Sequence, residues 1–167
     1  MKIGIIGAGA MGKTVNNYIE ERRAQGDDFE SLGTAELING GSIEEAFGET
    51  PDIIIDFSNP ANIEKTCSYA EEHGIPAVIA TTGCGDAETQ RIKLAAEKVP
   101  VVFSANYSLG ITVMARIAEE MTEILEENFD IEIVEKHHRN KLDAPSGTAL
   151  LLARAINNRG CLLYTSR

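Results

Sequence analysis

Apolar and polar positions follow two rhythms along the 167-residue chain, and the rhythms alternate in a regular order. Lys2-Ile-Gly-Ile-Ile6 is a short apolar run that reads as a buried parallel strand. Comparable strand patterns recur at residues 30–36, 52–57, 75–80 and 100–104. Helical patterns fill the gaps. One opens within residues 7–12, and a short one starts at Ser42 with the Ser-Ile-Glu-Glu spacing of a capping box. A third is started by Ser58-Asn-Pro60 and stopped at Gly74, and a fourth runs from Asp86 to about Lys98. Strands alternating with helices at this spacing predict an α/β fold with a parallel sheet and right-handed crossovers.

The pattern then changes. Asn106-Tyr-Ser-Leu-Gly110 reads as a hinge, and a long helix follows from Ile111. Within it Met114, Ile117, Ala118, Met121, Ile124 and Leu125 recur at three- and four-residue steps, with Glu119, Glu120, Glu123 and Glu126 largely on the other side. That stripe predicts core packing. Asp130-Ile-Glu-Ile-Val-Glu135 alternates as a strand with one buried face does. Ser146 predicts an N-cap for a helix over residues 149–156, with Gly147 and Thr148 in its first turn. After Ile156 the pattern fades.

A formal net charge of −11 without a basic arm argues against nucleic acid or an anionic membrane as partner. No apolar run is long enough to span a bilayer, and the first residues enter a strand pattern directly, so a cytoplasmic location is expected. Cys67, Cys84 and Cys161 are odd in number and lack CxxC spacing, which predicts reduced thiols, no disulfide framework and no metal site. Cys84, in a loop, reads as a space-filling residue, with oxidation there as the alternative. His73, beside the Gly74 stop, reads as a helix C-terminal charge.

Chemistry enters at two places. Gly7, Ala8, Gly9, Ala10, Met11 and Gly12 form a G-x-G-x-x-G run between a strand and a helix, the context of a dinucleotide-binding turn. The first glycine permits the turn, the second lets backbone approach a pyrophosphate, and the third allows close helix–strand packing. Glu36, at the end of the second strand, is the candidate ribose-binding acid, with an ordinary exposed glutamate as the alternative. No arginine follows it, which leans towards NADH over NADPH.

The second place is Lys136-His-His-Arg-Asn-Lys141, a basic cluster in an acidic chain, followed by the helix start at Ser146. A solvated basic loop is the bland reading. The cluster offers groups that titrate near neutrality beside a helix tip whose unpaired N–H groups and hydroxyls suit a carboxylate.

Together with Asp143-Ala-Pro-Ser-Gly-Thr148, this stretch resembles the signature of the dihydrodipicolinate (4-hydroxy-tetrahydrodipicolinate) reductases of bacterial and plant diaminopimelate and lysine biosynthesis. The resemblance implies that NADH or NADPH reduces a small cyclic dicarboxylate. It makes His137 the acid/base, Lys141 the proton donor, and His138, Gly147 and Thr148 the substrate contacts; the helix start from Ser146 to Thr148 is then expected to hold one substrate carboxylate, aided by His138 and Arg139. It matches Ala80, Thr81 and Thr82, and Ser104, Ala105, Asn106 and Tyr107, to the loops that hold the nicotinamide end. The family often has one more residue in the glycine loop, with Arg or Lys before Met-Gly, where Ala10 stands here. The resemblance implies a Rossmann-type domain over residues 1–107 and an incomplete α+β substrate domain over 108–157, with 158–167 a tail outside the fold. Family chains run on further and are usually homotetramers assembled through that further part, so the sequence reads as C-terminally truncated and that assembly is not expected of it. The alternative function is a nucleotide-binding fragment or sensor without turnover, whose helix and strand after residue 110 would leave apolar surface exposed. A dehydrogenase acting on an aldehyde is disfavoured, because no cysteine has a nucleophile's setting.

Overall fold

The computed structural model describes residues 1–37, 40–139 and 144–158. It divides into two compact units, Met1–Ser104 and a second that begins at Ala105. In the first, β1 (Lys2–Ile6), β2 (Glu30–Ala35), β3 (Ile53–Asp56), β4 (Ala77–Ile79) and β5 (Val101–Phe103) form one parallel sheet in the order β2-β1-β3-β4-β5. The crossovers carry α1 (Ala10–Ala24), α2 (Ile43–Phe47), α3 (Ile63–His73) and α4 (Asp86–Ala96). Ile6 pairs with Ala35 and Asp56, Asp56 with Ile79, and Ile79 with Phe103, so the carboxyl ends of all five strands lie on one edge. The strand order reverses between β1 and β3, which is where open α/β sheets bind ligands.

The two faces are built differently. On one, Ile6, Ile54, Ala77 and Ile79 pack with Ile43, Phe47, Ile63, Cys67, Ala70, Ile92 and Ala95 of α2, α3 and α4. On the other, Ile3 and Ile5 pack on Ile19 of α1, and Ile53 and Ile55 stay half-buried. Each fully buried isoleucine contributes about 1.5–3 kcal/mol relative to exposure, so β1, an inner strand between β2 and β3, anchors the unit. Local signals set the helix ends. Ser42 Oγ accepts from Glu45 N–H at 3.0 Å, and α2 and α3 both end on left-handed glycines, Gly48 and Gly74. The helix expected from residue 61 begins as a 3-10 turn, Pro60–Asn62, because Asn59 caps Ala61 N–H at 3.0 Å and draws the chain tight before α3. Arg91 of α4 binds Glu64, Glu71 and Ser68 of α3, clamping the two helices. Among the described residues no helix is long and apolar enough to cross a membrane.

The second unit contains α5 (Leu109–Leu125) and α6 (Gly147–Asn157), packed on each other. Ser108 caps α5 through Ile111 N–H, and Ser146 caps α6 through Ala149 N–H at 3.1 Å. Two expectations fail here. The stripe from Met114 to Leu125 is largely exposed, with Ile124 at 67% and Leu109, just before it, at 78%. The covered positions of α5 include Ala115, Ala118 and Thr122, which recur at three- and four-residue steps, together with Ile111 and Glu119. The periodic pattern marks a packing face correctly, but no described element covers that face. The strand expected over residues 130–135 likewise forms no ladder among the described residues. Its alternation survives as burial, with Ile131 and Ile133 half-covered and Val134 89% exposed, and no neighbouring strand pairs with it among the described residues.

Candidate functional site

The glycine loop after β1 is shaped by contacts that exclude side chains. Gly7 turns with φ +107° and donates its N–H to Ala35 O at 2.7 Å; a Cβ there would meet the Phe57 carbonyl at 2.9 Å. A Cβ on Gly12 would fall 1.8 Å from Gly7 O, so α1 passes the strand closely only because that atom is missing. At Gly9 nothing lies within 4 Å of the Cβ position. Gly9 is also the N-cap of α1, without a side-chain cap and without an acid in the first turn. Backbone N–H groups at the positive end of a 15-residue helix are thus open to an anion, which fits a dinucleotide's pyrophosphate. Ala8 is half-buried, while Ala10 and Met11 are exposed beside the open turn.

Glu36 is exposed immediately after β2. Next to it, Leu37, Asn59, Ala61, Asn62 and Lys65 line an open hollow. The last of these puts a cation on the wall of the hollow. Further along the same edge, Ala80 N–H donates to Asp56 O at 2.8 Å, and the buried Thr81 donates its hydroxyl to Asp56 Oδ1 at 2.8 Å. Thr81 therefore faces inward. Thr82 is exposed and keeps its hydroxyl at the surface. Ser104 N–H donates to Ile79 O at 3.2 Å, which carries the sheet edge to the end of the first unit. Cys84, half-buried, packs against the core with Sγ 3.6 Å from Thr81 O. Burial raises its pKa and pushes Cys67 up to about 11, so both thiols behave as packing groups.

In the second unit, Ala105, Asn106 and Tyr107 lead into α5. Asn106 Oδ1 accepts from Ser108 N–H at 2.8 Å, which fixes the amide so that Nδ2 donates to Thr148 Oγ1 at 2.9 Å. Residues expected on the cofactor and on the substrate are thus hydrogen-bonded to each other. Because the Thr148 oxygen accepts, its own proton is available to a ligand oxygen. Gly147, with its Cβ position 3.8 Å from Ala105 Cβ, and Thr148 open α6, where first-turn N–H groups lack helical partners. Glu135 braces this tip: its Oε1 accepts from Ser146 N–H at 2.9 Å and its Oε2 lies 2.9 Å from His137 Nε2. The Ser146 hydroxyl first, then the His137 ring and the Ser146 N–H, hold the Glu135 carboxyl down at about 2. His138 and Arg139 are exposed. Lys141 and Cys161 lie outside the described residues.

Two family models match the chain: dihydrodipicolinate reductase, N-terminus, over residues 1–107, and dihydrodipicolinate reductase, C-terminus, over residues 110–163. The chain belongs to the dihydrodipicolinate reductase family. Among its relatives is the 4-hydroxy-tetrahydrodipicolinate reductase of Zymomonas mobilis, 41% identical over 156 residues that make up 93% of this chain and 61% of that protein. The same-named protein of Magnetococcus marinus is 45% identical, covering 80% of this chain and 49% of its own length. That of Rickettsia rickettsii is 38% identical, covering 99% and 67%. The chain therefore spans from about half to two-thirds of these reductases. A solved dipicolinate-bound dihydrodipicolinate reductase from Paenisporosarcina sp. TG-14 shares the fold, with a TM-score of 0.67, 24% identity, and coverage of 99% of this chain and 69% of that one.

Against the reductase family's frame, two structural residues of the site escape a reading of the sequence. Asp56 looks like the polar end of an apolar strand and Glu135 like an outward strand residue; each has partners ten or more residues away, Thr66 and Thr81 for one and Ser146 for the other. Asn59 and Asn62 offered a weaker signal, since an Asn-Pro helix start at a strand's carboxyl end falls on the ligand edge of such a sheet.

Proposed function

We propose that the chain carries the nucleotide-binding and acid/base parts of an NAD(P)H-dependent reductase that converts 4-hydroxy-tetrahydrodipicolinate to tetrahydrodipicolinate in diaminopimelate and lysine biosynthesis. The observation that carries the reading is the glycine cradle: Gly7 and Gly12 admit no Cβ, and Gly9 leaves the start of α1 open. Relatives 38–45% identical bear the name of that reductase, which favours turnover over a sensor without it. Residues 7–12 would hold the pyrophosphate, Glu36 a ribose, and Ala80 to Thr82 and Ser104 to Tyr107 the nicotinamide end. Lys65 offers a charge partner for a 2′-phosphate, so the lack of an arginine after Glu36 does not by itself select NADH. Such a cofactor would supply hydride to the conjugated C=C–C=N system that forms when the substrate's 4-hydroxyl leaves as water.

The chain's own groups handle charge and protons. Ser146, Gly147 and Thr148 bind one carboxylate of the cyclic dicarboxylate at the tip of α6, and His138 and Arg139 add positive charge. Lys141 gives the proton that meets charge developing on the ring, and His137, held by Glu135, is the second acid/base. An enzyme of this kind works in the cytoplasm, where reduced pyridine nucleotide and small dicarboxylates are dissolved together. The test is a fluorescence titration with NADH and NADPH, followed by a consumption assay with freshly generated substrate. Saturable binding with consumption is expected, and Lys141→Ala should lower kcat by about a hundredfold or more while cofactor Kd changes less than about threefold. Binding without consumption selects the sensor reading; no binding removes both.

A further inference from the structure

Asp56 lies at the centre of the sheet and is fully buried. Its neighbours in register are Ile6 and Ile79, and an apolar residue would serve that core better than a carboxylate. The carboxylate instead gathers three donors from three elements. Oδ1 accepts from Ser58 N–H and from the Thr81 hydroxyl, both at 2.8 Å, and Oδ2 accepts from the Thr66 hydroxyl of α3 at 2.5 Å. Its main-chain oxygen takes the Ala80 N–H at 2.8 Å.

Two of these partners belong to the walls of the nucleotide crevice. The turn fixed by the Ser58 bond is the surface against which Gly7 rests, since the Gly7 Cβ position is 2.9 Å from the Phe57 carbonyl and 3.1 Å from Ser58 Cα. Ser58 also accepts from Asn62 Nδ2 at 3.2 Å, and Asn62 lines the hollow beside Leu37. The Thr81 bond fixes the loop from Ala80 to Thr82. One carboxylate therefore sets the spacing between the phosphate turn and the nicotinamide loop. We propose that Asp56 is a positioning residue for the dinucleotide, holding the phosphate-side turn through Ser58 and the nicotinamide-side loop through Thr81. The proposal rests on the nucleotide-binding reading above. Thr66 is its internal control, because it shares the carboxylate and the burial but its hydrogen bond ties the carboxylate to α3 instead of to either loop.

The test compares Thr81→Val, Thr66→Val, Asp56→Val and Asp56→Asn by thermal unfolding and by titration with NADH and with ADP-ribose. Thr81→Val is expected to weaken NADH about tenfold and ADP-ribose less than about twofold, since it frees the nicotinamide side alone. Asp56→Val should weaken both ligands. Asp56→Asn should restore most of the affinity: the amide oxygen can keep the Ser58 and Thr81 bonds, and the amide NH2 can donate to a rotated Thr66 hydroxyl. Thr66→Val should lower Tm yet leave both Kd values within about twofold. A folded Thr81→Val with wild-type NADH affinity would overturn the proposal, as would Thr66→Val losses matching those of Thr81→Val. If Asp56→Val does not fold, the two threonine variants decide the matter. A wild-type chain that binds neither ligand overturns the nucleotide-binding reading itself, a result distinct from either.

Discussion

Glu135 shows how one side chain couples stability to pH. Its carboxyl falls from an ordinary 4.5 to about 2 on folding, held there by Ser146 and His137. A carboxyl lowered on folding contributes its full share above about pH 4.5 and loses it as pH falls towards about 2. Glu135→Gln is therefore expected to lower the urea midpoint at neutral pH and to flatten its decline across that interval. Comparing variant with wild type at each pH isolates this group from Glu64, lowered by Ser68 and Arg91, and Glu71, lowered by Arg91 and Lys98. Parallel pH curves would remove the role assigned to Glu135. The residues that announce themselves in the sequence are those whose type suffices, such as the glycines of the β1–α1 turn. Asp56 and Glu135 do not, because their meaning depends on partners that only the folded chain brings near.

Among elements, the β1–α1 turn separates two jobs that one motif compresses. Gly12→Ala puts a methyl 1.8 Å from Gly7 O, so the helix must move off the strand. Gly9→Ala places its methyl in open space, at φ −71° and ψ −170° that any residue adopts. The expected outcome is that Gly12→Ala lowers both Tm and NADH affinity, whereas Gly9→Ala keeps Tm within about a degree or two and weakens NADH about tenfold or more by occupying the ligand's side. Equal Tm losses would show that the two glycines have a common structural role. The turn and its flanking strand and helix were legible because their signals are local. The segment 130–135 was not legible as a lone strand, since alternation reports a potential buried face but pairing needs a neighbour. On α5 the large apolar residues misdirected the reading: most of them stay exposed while Ala115, Ala118 and Thr122 are covered, and small residues carry little weight in a hydrophobic pattern.

For the whole molecule, the order of strands and helices in the first unit follows from the alternating rhythm of the chain, while the sheet order β2-β1-β3-β4-β5 required the structure. The chain is acidic overall, at −11, yet concentrates positive charge in the Lys136–Lys141 stretch of the sequence that is proposed to serve a dianion, so substrate KM should rise with added salt while NADH binding through neutral backbone groups changes less; equal salt slopes would count against that division. The sheet's outer strand has one further consequence. Among the described residues β5 is the last strand of the sheet, with Val102 56% and Phe103 37% exposed. Exposed apolar side chains at such a margin favour self-association, so turbidity on storage should climb steeply with protein concentration, and Val102→Lys should suppress it without altering the far-UV spectrum.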